Sequence, residues 1–165
     1  MTSPIARITT ALMLAGAFAG CASPTVALQI GFPSEQAFIA TSSLDVQVIP
    51  LSGSRDQCAT LLGAAIQGTT DIHASITAVG LTPCQARAGT TLPDPGGGAQ
   101  AFIVVGRATN GVILGGCSVG EAYPGGRAIA VDLFPTSTTS YMQAVTAAHI
   151  PPGATAAQHC QGSAP

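Results

Sequence analysis

Apolar residues alternate with polar or small ones along several short stretches of the chain. Val26, Leu28, Ile30 and Phe32 alternate with Ala27, Gln29 and Gly31; Leu44, Val46 and Val48 alternate with Asp45 and Gln47. Ile72, Ala74 and Ile76 alternate with His73, Ser75 and Thr77, and Ile129, Val131 and Leu133 with Ala130, Asp132 and Phe134. Phe102 and Val104 share one parity, and Arg107 takes the other. A period of two is that of a strand with one face buried and one solvated. Turn-forming residues separate the runs: Phe32-Pro33-Ser34, Pro50 to Gly53, Pro93 to Gly98, and Pro124-Gly125-Gly126. The run from Ala101 to Thr109, followed by Asn110-Gly111 and Val112-Ile113-Leu114, predicts a hairpin. Asn-Gly favours a type I′ turn there, because both residues accept positive φ.

One segment changes period. Between Asp56 and Gly68, the residues Cys58, Leu61, Leu62, Ala65 and Ile66 fall at helical spacing. Ser54 is a candidate N-cap, Asp56 in the first turn complements the helix dipole, and Gly68 stops the segment. A short helix crossing between strands is predicted over about 55–67. From Pro135 onward the chain opens with a Ser/Thr run that reads as a linker. Ser140 to His149 has helical potential before Pro151-Pro152-Gly153, and the remainder is small and polar. The expected fold is mainly β: an antiparallel β-sandwich of about seven strands with one crossing helix over residues 21–134, then a tail over 135–165. Its pattern resembles the immunoglobulin-like modules of bacterial envelope lipoproteins, notably in the hairpin that ends at Gly115-Gly116-Cys117 before a final strand. The tryptophan of true immunoglobulin domains is absent.

The first residues carry an address. Arg7 and the terminal amine precede an apolar run from Ile8 to Ala19, too short to span a bilayer. The run ends in Phe18-Ala19-Gly20-Cys21, which resembles the lipobox of bacterial lipoproteins. That resemblance implies a signal peptide over 1–20, acylation of Cys21 and the lipid bilayer as a partner. With Ala22 next, it further implies the outer membrane. The alternative is free secretion, since Ala17-Phe18-Ala19 also suits ordinary signal peptidase. There are five cysteines. Lipidating Cys21 leaves Cys58, Cys84, Cys117 and Cys160, enough for two disulfides in an oxidising compartment.

The favoured pairing is Cys58 with Cys117 and Cys84 with Cys160. Cys58 lies in the first turn of a helix that must bury one apolar face, and Cys117 ends a strand near a rim. Cys84 follows a strand at Leu81-Thr82-Pro83, and joining it to Cys160 would hold the polar tail.

Charge narrows the functional classes. The chain has no lysine, and beyond the signal only Arg55, Arg87, Arg107 and Arg127 face seven acidic residues. Four scattered arginines build neither a nucleic-acid footprint nor a polybasic membrane face. Gly116-Cys117-Ser118-Val119-Gly120 matches the Gly-x-Ser-x-Gly elbow, and Asp132 and His149 follow in the order of α/β-hydrolases. The helix that should follow the serine is replaced by Pro124-Gly125-Gly126. His149, His159 and Cys160 match no zinc spacing. Asp45, Asp71, Asp94 and Asp132 are too dispersed for a calcium site, and Asp94-Pro95-Gly96-Gly97-Gly98 lacks the Gly-Lys-Ser/Thr of a phosphate loop. No cofactor is expected. The expected function is that of a membrane-anchored envelope lipoprotein acting as a binding or structural module for an envelope protein, glycan or small ligand. The alternative is a small exported serine hydrolase using Ser118, Asp132 and His149.

Overall fold

The computed structural model describes residues 25–52, 57–70 and 77–162. Eight strands and five helices make up this part of the chain. They are β1 (Thr25–Gly31), α1 (Glu35–Ala40), β2 (Ser43–Pro50), α2 (Cys58–Gln67), β3 (Thr77–Leu81), α3 (Pro83–Ala88) and β4 (Thr90–Pro93). The rest are β5 (Ala99–Ala108), β6 (Gly111–Glu121), β7 (Ile129–Asp132), β8 (Phe134–Pro135), α4 (Thr138–Ala147) and α5 (Ala156–Gln161). The strands form two sheets. One is five-stranded and antiparallel throughout, in the order β3-β2-β5-β6-β8. The other is three-stranded, in the order β4-β1-β7, with β1 antiparallel to β4 and parallel to β7.

The inward parities of the two sheets share one core. Val26, Leu28, Leu92 and Val131 of the small sheet pack with Leu44, Val46, Val48, Phe102, Val104 and Leu114 of the large one. The alternation in β1 and β2 thus directs burial as expected, with Ala27 and Gln29 exposed. β5 departs from a one-sided strand. Ala101, Ile103 and Val105 on its other parity are buried as well, beneath Leu61, Leu62, Ala65 and Ile66 of α2. A helix with one apolar stripe must cover an apolar surface, and the unbroken run Ala101 to Val105 supplies it. The molecule is therefore layered as small sheet, large sheet and helix.

Two glycines in β6 let these layers approach. A Cβ on Gly115 would lie 3.2 Å from a Leu62 methyl and 3.3 Å from one of Ile66, on the α2 side. On the opposite face, a Cβ on Gly116 would fall on the backbone oxygen of Asp132. Gln100, 1 % exposed, closes one end of the core. Its amide nitrogen donates to the Gly96 carbonyl at 2.6 Å, and its oxygen accepts from the Ala122 N–H at 3.3 Å.

The hairpin forms between β5 and β6, but with a different turn. Ala108 pairs with Gly111, so Thr109 and Asn110 make the loop. Gly111 has φ of 124°, whereas His149 is the only non-glycine with positive φ among the described residues. The left-handed position thus falls on the glycine alone, and a register shift beside Arg107 absorbs the difference from a type I′ ribbon.

The single crossing helix expected over about 55–67 is present as α2, and four further helices join it. Ser54 and Asp56, and the run Ile72 to Ile76, lie outside the described residues. The expected linker after Pro135 is instead mostly helical. Ser137 caps α4 by accepting from the Ser140 N–H, and Tyr141, Ala144 and Val145 face the core at helical spacing. Ser and Thr suit an N-cap and first turn as well as a linker. The tail therefore docks through more than Cys160.

Candidate functional site

The elbow-like pentapeptide Gly116 to Gly120 lies wholly inside β6. Ser118 pairs with Phe102 in the middle of the ladder, and the element after β6 is the strand β7, not a helix. Asp132 is exposed at the end of β7, and His149 is exposed beyond α4, its Nδ1 2.7 Å from the Ala147 carbonyl oxygen. Among the described residues no hydrogen bond or ion pair joins Ser118, Asp132 and His149. The glycines of this segment serve packing: a Cβ on Gly116 would meet the Asp132 backbone, and one on Gly120 would lie 3.1 Å from Ile129.

The other candidates disperse in the same way. Asp45 pairs with Arg107 at 2.6 Å on the large sheet. Asp94 accepts from the Gly96 N–H at 3.0 Å, which explains the glycine loop as a local turn. Asp71, His73, Arg55 and Cys21 lie outside the described residues. Among the described residues no group of three or more His, Cys, Asp and Glu side chains is placed to hold a metal. Cys160 is bonded to Cys84, with Cα atoms 5.5 Å apart, and Cys58 to Cys117 at 5.8 Å. These are the pairs the sequence pattern favours. Cys84 sits in the first turn of α3 rather than at a strand end.

A concave feature lies elsewhere among the described residues, where no sequence motif points. A groove of about 880 Å³ runs over β1 and β4, bounded by α1, the C-terminal half of α3 and Ala156 of α5. Ala27 and Thr91, partners in the β1–β4 register, share its floor with Gln29. The outward parity that reads as solvent-facing in sequence is the base of this groove.

Its walls are three helices of six residues each. Such short helices are marginal alone and depend on caps and tertiary contacts. Ser34 caps α1, accepting from Ala37 N–H at 3.0 Å, and contacts the Tyr141 hydroxyl at 3.1 Å. Thr82 with Gln85 on α3, and Thr155 with Gln158 on α5, each form a reciprocal capping box. Pro83 at the first position of α3 strengthens that start.

The walls are then tied to one another. The Ala156 N–H donates to a Glu35 carboxylate oxygen, joining α5 to α1. The Cys84–Cys160 disulfide joins α5 to α3. Phe38 of α1 stands at the centre. It meets Phe32 edge-to-face at 4.9 Å and His159 at 6.2 Å, and the Arg87 guanidinium carbon lies 6.0 Å from its ring centre. The lining is mostly apolar, with Arg87 and Glu35 as its charged members. A concave apolar surface with few polar groups is the usual form of a small-molecule site.

The chain matches no protein-family model, and comparisons with curated proteins and with solved structures find no significant similarity. Function must therefore be argued from the groove and the sequence.

Proposed function

We propose that the protein is a lipid-anchored envelope lipoprotein that binds a small ligand in the groove over β1 and β4. The observation that carries the binding role is the groove itself: three short helices, two of them joined by a disulfide, bound a floor of β1 and β4 residues, with Arg87 and Glu35 as the charged members of a mostly apolar lining. The anchoring role rests on Phe18-Ala19-Gly20-Cys21 and on the cysteine count. Two disulfides use the four other cysteines, so Cys21 is the one left for acylation. Among the described residues no helix is long and apolar enough to cross a membrane.

For the fold we propose a β-sandwich, on the strength of the core shared by the two sheets. The immunoglobulin-like variety has less behind it. A helix covers the outer face of β5, and helices fill the first three strand connections, whereas immunoglobulin sandwiches carry mainly loops there. The hydrolase alternative lacks the turn and helix that would expose Ser118 and supply an oxyanion site.

Membrane fractionation with acyl labelling tests the anchor. Labelled, membrane-bound protein that becomes unlabelled and soluble on Cys21→Ser is the expected result. An unmodified mature N-terminus upstream of Cys21 would overturn it. A fluorophosphonate adduct lost in Ser118→Ala would restore the hydrolase.

A further inference from the structure

We infer that the groove takes a single-chain amphiphile bearing a carboxylate, with Arg87 as the acid's partner. This deepens the binding role proposed above and rests on it. Arg87 is exposed at the C-terminal turn of α3, on the groove wall. Among the described residues its guanidinium has no hydrogen-bond or ion-pair partner; Arg107, by contrast, is engaged by Asp45. Contact with the Phe38 ring does not consume the five N–H donors of the fork. That fork matches a carboxylate bidentately, which favours this anion over a spherical one.

Glu35, the other charged group of the lining, is turned to the Ala156 N–H and makes no ion pair with Arg87. Beside Arg87 the lining includes Phe38, Phe32, Ile30 and Ala27, apolar surface for a hydrocarbon tail. The volume lies within the range of sites that bury drug-sized ligands, about 300–1,000 Å³. Ala27 also follows Cys21 by a stretch of chain whose full reach is at most about 20 Å. If Cys21 is acylated, the groove is held beside a source of such amphiphiles.

The test uses the full chain carrying Cys21→Ser, exported so that its disulfides form, and studied without detergent. Dansylundecanoic acid is the fluorescent probe, displaced by laurate or by dodecanol. Expected is saturable probe binding, displaced by laurate at concentrations at least about ten-fold below dodecanol, since a charge-assisted bond is worth that much. Arg87→Met should lower laurate affinity about ten-fold and leave dodecanol unchanged. Arg107→Met should change neither. Thr91→Trp, an exposed strand position on the floor, should abolish probe binding while the circular dichroism spectrum stays native. Absence of probe binding to folded protein would overturn the proposal. So would equal displacement by acid and alcohol, or an Arg87→Met variant with unaltered laurate affinity. None of these outcomes bears on acylation of Cys21, so the anchor and the ligand stand or fall separately.

Discussion

The two disulfides close loops of comparable length but hold different kinds of structure. The bridged cysteines are 59 and 76 residues apart, which in the chain-entropy model gives each bridge about 4 kcal/mol. The Cys58–Cys117 bridge pins a helix that already docks. Leu61, Leu62, Ala65 and Ile66 of α2 cover Ile103 and Val105 of β5, and each half-buried side chain contributes about 1 kcal/mol. The Cys84–Cys160 bridge holds a helix with little else: α5 buries only Ala156. Among the described residues its other ties include the Glu35 contact and the ring of His159 against Phe38. On one side the bridge adds to a packed interface; on the other it creates the interface. The weaker side is the one that carries the groove, which suits the exchange of the proposed ligand.

Removing the bridges should separate the two regimes. Replacing Cys58 and Cys117 by Ala should cost about 4 kcal/mol of global stability, read from urea unfolding, with α2 amides still protected from hydrogen exchange. Loss of α2 protection at the native baseline would show that the helix has no docking of its own. A smaller effect is expected at the seam between the sheets. Gly116→Ala drives a Cβ onto a backbone oxygen and should cost about 3 kcal/mol, whereas Gly115→Ala meets only movable side chains and should cost about 1 kcal/mol. Equal costs would mean that the two layers approach β6 alike.

Replacing Cys84 and Cys160 by Ala should lower global stability less, by about 2 kcal/mol, because the freed tail also gains entropy in the native state. Exchange of α5 amides should rise to that of an open segment, and groove binding should weaken. Retained protection in α5 would contradict the contrast. The smallest effect is expected from Arg107→Met. Its ion pair with Asp45 is about 40 % exposed on each side and contributes under about 1 kcal/mol, diminished by salt.

Much of the sheet framework is legible in the sequence, because burial alternates by parity from Thr25 to Gln29 in β1 and from Ser43 to Val48 in β2. The same logic fails in β5, where Ala101 to Val105 is apolar on both parities and the cover comes from a distant helix. The helices around the groove were hard to see for a related reason. At six residues, α1, α3 and α5 are too short to show a period. The signal that marks two of them is one the periodicity passes over: Thr82-Pro83-Cys84-Gln85 and Thr155-Ala156-Ala157-Gln158 both carry the capping-box spacing. The groove itself left no motif, since Ala27, Gln29 and Thr91 read as ordinary outward strand positions. The visible motif at Ser118 arose from glycines that serve layer packing.

Amide chemical-shift mapping during a laurate titration reads ligand binding in the groove over β1 and β4 residue by residue. The expected result is a connected set of perturbed amides at Gln29, Phe38, Arg87, Thr91 and Ala156, saturating together, with β6 unaffected. Shifts confined to Ser118 and its neighbours on β6, or no saturable shifts at all, would contradict it.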